Sequence, residues 1–217
     1  LGDVYKRQVC KPQPDLKTNP LEFIPNGYEL FSRTEGDLNK DGKTDVVLMI
    51  KATDPKKWVD DEYRGRLNRN RRGLIILFKR DGGYELAAEN DECFTSENED
   101  GCAYYPPELS LSIQKNILVL NYAYGRYGYW EYIFRYQNND IELIGYHLDQ
   151  SNGAISSLIE DVNFSTRTAV YKQNMNNNDE EPAKYKVKII KFKRDNLIKL
   201  SEIADFDNLD LGLPETE

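Results

Sequence analysis

The chain has 217 residues, a formal net charge of -8 at neutral pH, an isoelectric point near 4.9 and a mean hydropathy of -0.72. Such acidity argues against a general nucleic-acid binder or a protein held on an anionic membrane surface, and it suits a cation as partner. No run approaches the roughly 18 apolar residues that a membrane-crossing helix needs, and the length is that of one domain with one core. That core exceeds what the hydropathy implies, because 15 residues are tyrosine, which buries an aromatic body while its hydroxyl stays wet.

The segment Asp3-Val4-Tyr5-Lys6-Arg7-Gln8 resembles the in-frame translation of a transposon-end adapter used in preparing sequencing libraries. Residues 1–8 are therefore set aside, and the natural start is expected upstream. Cys10 stands where a lipidated cysteine would, but Val9 replaces the small residue usual before it, so the motif is weakly matched. Residues 9–26 carry Pro12, Pro14, Pro20 and Pro25, which deny both helix and ladder hydrogen bonds, and read as an extended lead-in.

From residue 27 to 204 the pattern is one of short apolar or alternating runs broken by Gly, Asn and Asp, the signature of antiparallel strands and hairpins. Val46–Ile50 and Leu74–Phe78 are continuous apolar runs, as central strands covered on both faces should be, with a charged loop between them that ends at Arg72. Leu109–Gln114 alternates, and Ile117–Leu120 follows it. Tyr129–Tyr136 and Ile141–Tyr146 form a hairpin through Gln137-Asn138-Asn139-Asp140, and Tyr185–Ile189 alternates apolar residues with lysines. A short turn is expected at Leu200–Ala204, and residues 205–217 read as a mobile acidic tail.

An internal echo runs through these strands. Phe78-Lys79-Arg80-Asp81 leads to Tyr84-Glu85-Leu86, Phe134-Arg135-Tyr136 to Ile141-Glu142-Leu143, and Phe192-Lys193-Arg194-Asp195 to Ile198-Lys199-Leu200, at nearly equal intervals. The spacing fits successive β-meanders of propeller-blade size. The fold class is therefore all-β, built of antiparallel β-meanders, propeller-like or partly open, with a β-sandwich as the alternative.

Chemistry concentrates in Asp37-Leu38-Asn39-Lys40-Asp41-Gly42-Lys43-Thr44-Asp45. Alternate residues of a tightly wound loop aim their oxygens at one point, which suits a hard cation wanting six to eight oxygen ligands. Asp37, Asn39, Asp41 and Asp45 would offer side-chain oxygens, Lys43 its carbonyl, and Gly42 the turn. An EF-hand would place a bidentate Glu at the position of Leu48, so this loop must feed a strand instead. The loop and the strand after it resemble the calcium hairpin of FG-GAP and VCBS-type repeats. The stretch Gly125-Arg126-Tyr127-Gly128-Tyr129-Trp130 is similar to exported proteins of Bacteroidetes. The resemblance implies calcium as the ion and a periplasmic, cell-surface or secreted location, although a full propeller would repeat the acidic loop and this chain has it once.

Cys93 and Cys102 bracket a polar loop and are expected to form a disulfide, closing about ten residues for roughly 2.5 to 3 kcal/mol. Such a bridge requires an oxidising compartment, and without it the location would be cytoplasmic. Tyr127, Tyr129, Trp130 and Tyr132 are the candidate ligand-binding aromatics, for a glycan or a protein, against the plainer reading of cross-strand packing. Arg64, Arg66, Arg69, Arg71 and Arg72 make a local basic run. His147 has no nucleophile tied to it by a motif, and carboxylate pairs such as Glu160 and Asp161 are not singled out by spacing. The expected function is accordingly a non-catalytic calcium-binding β module. A carboxylate-based hydrolase of glycans or peptides is the alternative.

Overall fold

The computed structural model describes residues 15–100, 106–151, 155–176 and 182–214. Cys10, Cys102 and the adapter-like segment lie outside them. In chain order the strands are β1 (Tyr28–Gly36), β2 (Asp45–Ala52), β3 (Trp58–Asp61), β4 (Gly65–Asn68), β5 (Arg72–Arg80), β6 (Gly83–Phe94) and β7 (Glu108–Gln114). They continue as β8 (Ile117–Ala123), β9 (Gly128–Gln137), β10 (Asp140–Ser151), β11 (Ser156–Asn163), β12 (Thr168–Asn174) and β13 (Tyr185–Lys191). Among the described residues the helical segments are short 3-10 turns only.

Two antiparallel sheets carry the structure, one of four strands in the order β1-β2-β5-β6 and one of seven in the order β13-β12-β11-β10-β9-β8-β7. They pack face to face, sandwich-like, and neither closes into a barrel. The period of two along a strand decides which residues meet. Val47 and Met49 of β2 and Leu74, Ile76 and Phe78 of β5 point at the larger sheet, where Leu120, Phe134 and Leu143 receive them. Val46, Leu48, Ile50, Ile75 and Leu77 point the other way and form a second cluster, covered by Phe23 and Ile24 of the lead-in. The continuous apolar runs are thus explained, since both faces of β2 and β5 are dry. The lead-in is folded where described: a 3-10 turn spans Pro20–Phe23 and a bridge joins Lys17 to Tyr84.

The charged loop before Arg72 contains the small β3–β4 hairpin, which sequence reading missed because Asp60, Asp61, Arg64 and Arg66 mask its alternation. The echoed segments land as the third and fourth strands of four-strand meanders in the first two cases, β5–β6 and β9–β10. The Asn138-Asn139 turn joins the second pair with positive φ at both residues, the geometry of a tight hairpin. Separate propeller blades do not form, because β11 pairs directly with β10 and the second and third groups merge into one sheet. In the third copy the fourth strand is missing. Ile198 and Lys199 swing across to β10 instead, where Leu143 N–H donates to Ile198 C=O at 2.8 Å.

Residues 205–214 are not the loose tail that their acidity suggested. Phe206 is buried and stacks on Phe94 at 4.8 Å between ring centroids, and Leu209, Leu211 and Leu213 pack against the same core. Asp205 pairs with Arg71 at 3.3 Å and Asp207 accepts from Thr95 Oγ1 at 2.7 Å, so the acidic side chains have fixed partners.

Candidate functional site

The acidic loop joins β1 to β2. Its turn is set by Asp and Asn side chains gripping backbone N–H groups. Asp37 Oδ1 accepts from Lys40 N–H at 2.7 Å and its Oδ2 from Gly42 N–H at 3.1 Å. Asn39 Oδ1 accepts from Asp41 N–H at 3.0 Å, and Asp41 Oδ1 from Lys43 N–H at 2.9 Å. Gly42 sits at φ 80, where a side chain would be strained, and Arg80 neutralises Asp41 from across the sheet at 3.2 Å.

Asp45 behaves differently from the rest of the loop. It is fully buried, its Oδ2 accepting from Leu38 N–H at 2.8 Å and its Oδ1 from Lys79 N–H at 2.9 Å. Burial raises its pKa, partly offset by those backbone donors. The carboxylate therefore pins the loop's first turn to the end of β5. Among the described residues no three acidic, histidine or cysteine side chains gather as a metal centre. Asp45 is thereby set apart from Asp37, Asn39 and Asp41, whose side-chain oxygens accept from the loop's own N–H groups.

A second feature lies where β9 begins. Gly128 has φ 111, and a Cβ there would stand 1.8 Å from the Asp149 carbonyl oxygen, so only glycine lets β9 meet β10 at this point. The chain before it folds into a 3-10 turn at Gly125–Tyr127. The result is a groove lined by Tyr124, Tyr127, Tyr129, Trp130, Asp149 and Gln150, among others. Trp130 is held by stacking on Tyr122 at 5.0 Å, and Tyr124 and Tyr127 lie 5.5 Å apart. Tyr132, expected with these aromatics, belongs elsewhere: it is 6% exposed and its hydroxyl donates to Phe206 C=O at 3.1 Å. It faces the inter-sheet core, as does Tyr122, so the aromatic run divides between packing and groove.

Past Tyr129 the outer face of the seven-stranded sheet continues as a polar row, Asn121, Glu131, His147 and Asp161 standing opposite one another on β8 to β11. Asn121 Nδ2 donates to Glu131 Oε1 at 2.9 Å, His147 Nδ1 to Asp161 Oδ1 at 2.7 Å and Lys172 Nζ to Asp161 Oδ2 at 3.1 Å. Burial works against the Asp161 charge, but the His147 and Lys172 bonds prevail and hold its carboxyl below the usual range. The row borders a polar depression that also takes in Asn163, Thr166 and Thr168. The register alone makes these partners, and no motif in the sequence could have announced them.

The remaining candidates resolve into structural roles. Cys93 is a free thiol buried in the core, its Sγ donating to Asn90 C=O at 3.6 Å, and burial pushes its pKa well up. Cys93 lies at the end of β6, and Cys102, its expected partner in a disulfide, lies outside the described residues. The arginines are individually engaged. Arg64 and Arg69 hold Asp100 at 3.0 and 2.7 Å, Arg72 is buried with Nε donating to Thr95 C=O at 2.9 Å, and Arg66 lies over the Trp58 ring.

No protein-family model, curated protein or solved structure matches this chain.

Proposed function

We propose that the protein is a non-catalytic binding module that docks a glycan chain in the groove of Tyr124, Tyr127, Tyr129 and Trp130. The observation carrying this reading is the groove itself, where aromatic faces and polar groups converge at one open sheet end. Aromatic rings stack against the apolar faces of sugar rings, while Asp149 and Gln150 offer acceptors and donors to hydroxyls. Hydrolysis needs two carboxylates flanking the bound chain. Asp149 is the one carboxylate among the groove's described lining residues, and Glu131 and Asp161, farther along the face, are already bonded to Asn121, His147 and Lys172.

The test uses Trp58→Phe as background, which leaves Trp130 as the sole tryptophan reporter. Titration with neutral α- and β-linked hexasaccharides is expected to give a saturable fluorescence change with one of them, abolished by Tyr129→Ala. Flat titrations across the panel would remove the glycan reading.

Calcium belongs to the same proposal as a structural brace on the four-stranded sheet. Asp37, Asn39, Asp41 and the Lys43 carbonyl would hold it, and the ion supplies charge compensation to a loop that crowds carboxylates together. An affinity on the order of 0.1 to 1 mM, as in extracellular modules, would load the site outside the cell, which is the location we assign. Calorimetric titration of calcium into chelator-treated protein measures this directly. Asp41→Ala is expected to lower the melting temperature in calcium and to abolish the difference made by chelator; equal melting of the wild type with and without chelator would count against the brace.

A further inference from the structure

We infer that the glycan taken by the groove carries an acetamido sugar, whose acetyl group enters a second cleft at the mouth of the sandwich; the inference rests on the groove reading and deepens it. The cleft, of about 430 Å³, lies beside the groove and shares Tyr124 and Trp130 with it as a common wall. Both sheets contribute to it. Arg72 comes from the start of β5 in the smaller sheet, while Tyr122 and Trp130 stand opposite each other on β8 and β9 of the larger one.

Two donors in this cleft lack the partners that buried polar groups ordinarily have. Tyr122 is 3% exposed, and its hydroxyl has no hydrogen-bond partner. Arg72 is 4% exposed, and its guanidinium lies over the Phe31 ring. Among the described residues its one hydrogen bond runs from Nε to Thr95 C=O at 2.9 Å, with Glu97 at 3.9 Å from the same nitrogen. Both terminal nitrogens are thereby left as donors, and what the cleft lacks is an acceptor.

The rest of the lining decides which acceptor fits. Glu99, Asp100 and Asp207 stand around the same cleft, so a carboxylate or sulfate on the sugar would meet three like charges against one guanidinium already shared with Glu97. A neutral amide carbonyl takes the same donors without that repulsion. Its methyl group finds Trp130, Pro106 and Pro107, which make the apolar side of the cleft. The acetamido substituent brings this carbonyl and this methyl together on an uncharged sugar ring. A hydroxyl at the same carbon brings neither.

The probe is the β-linked hexamer of N-acetylglucosamine, titrated calorimetrically into the full chain beside the neutral hydroxyl-only hexasaccharides that test the groove. It is expected to bind about tenfold tighter than any of them. Tyr122→Phe removes a hydroxyl that bonds nothing in the fold, so it should melt no lower than the wild type. It should also bring the acetamido hexamer to within about threefold of the others. An acetamido hexamer no tighter than the rest, while one of those binds, overturns the inference and leaves the groove reading standing; flat titrations throughout remove both. A preference that survives Tyr122→Phe, a clear fall in that variant's melting temperature, or a uronate hexamer that binds as tightly as the acetamido one would each overturn the inference as well.

Discussion

The two sheets differ in how many of their faces are dry. In the four-stranded sheet β2 and β5 are covered on both sides, by the larger sheet on one and by Phe23 and Ile24 on the other, and seven consecutive residues from Asp45 to Lys51 are buried. In the seven-stranded sheet only the inner face is dry. Its outer face carries Tyr129, Glu131, His147 and Asp161 in open rows, and its last strand is exposed on both faces along much of its length. The smaller sheet is therefore the stability anchor, and the larger one keeps the open face that borders the proposed groove. A row of polar side chains such as Glu131, His147 and Asp161 can be kept only on a face that no apolar layer has to cover.

That division can be broken first with apolar truncations. Ile75→Ala in β5 removes a fully buried side chain from the second cluster, and should cost about 2 to 5 kcal/mol by the usual price of a core cavity. Ile189→Ala on the outer face of β13 should stay within about 0.5 kcal/mol. Urea unfolding of both variants checks the contrast. Comparable losses would mean that the outer face is covered in solution and that the division is wrong.

The same contrast explains what was legible in the sequence. Val46–Ile50 and Leu74–Phe78 announced twice-covered strands because dry faces leave no room for polar residues. The Asn138-Asn139 turn was legible because positive φ narrows residue choice. β11 and β12 went unread, since Ser156–Asn163 and Thr168–Asn174 carry polar residues on the wet face and weak alternation on the other. The site was legible in type and not in membership. Aromatic density marked the stretch near Gly128, but which rings face the groove is decided by strand parity: even positions from Tyr132 onward enter the core, while Tyr129 stays outside. Asp45 shares its motif with Asp37 and Asp41 and is separated from them only by burial, a tertiary fact.

A sharper test lies at the junction of the two regimes, Gly128, where inner-face packing gives way to the groove. Its φ of 111 and ψ of -159 fall in a region essentially reserved for glycine, and the Asp149 carbonyl leaves no space for a side chain. Gly128→Ala should cost roughly 1 to 3 kcal/mol of strain and shift the β9–β10 register locally. Thermal melting measures the first effect and amide shifts at Asp149 and Gln150 the second. If the groove is the ligand site, this variant also loses the hexasaccharide response, whereas Tyr132→Phe, which removes one core hydrogen bond worth about 1 kcal/mol, keeps it.

The smallest effect separates the two faces of the larger sheet by a single residue. Glu160 and Asp161 are neighbours on β11 and point to opposite sides, Glu160 standing opposite Leu148 and Tyr171, and Asp161 opposite His147. Burial raises the Glu160 pKa above 4.5, so the folded state holds that proton more tightly; its contribution is greatest below pH 4.5 and is lost as pH rises through the folded value. Glu160→Gln should therefore stabilise the protein at neutral pH, with the gain fading on acidification. Asp161, lowered from 3.8, has the reverse sign: its contribution is present above that value and disappears as pH falls through the folded one. Asp161→Asn should be destabilising at neutral pH, by no more than about 1 kcal/mol because the carboxylate is partly in water, and neutral at low pH. Melting curves of both variants across about pH 2.5 to 7 give the two opposite slopes. Parallel slopes would place both carboxylates in the same environment and remove the distinction between the dry and the wet face.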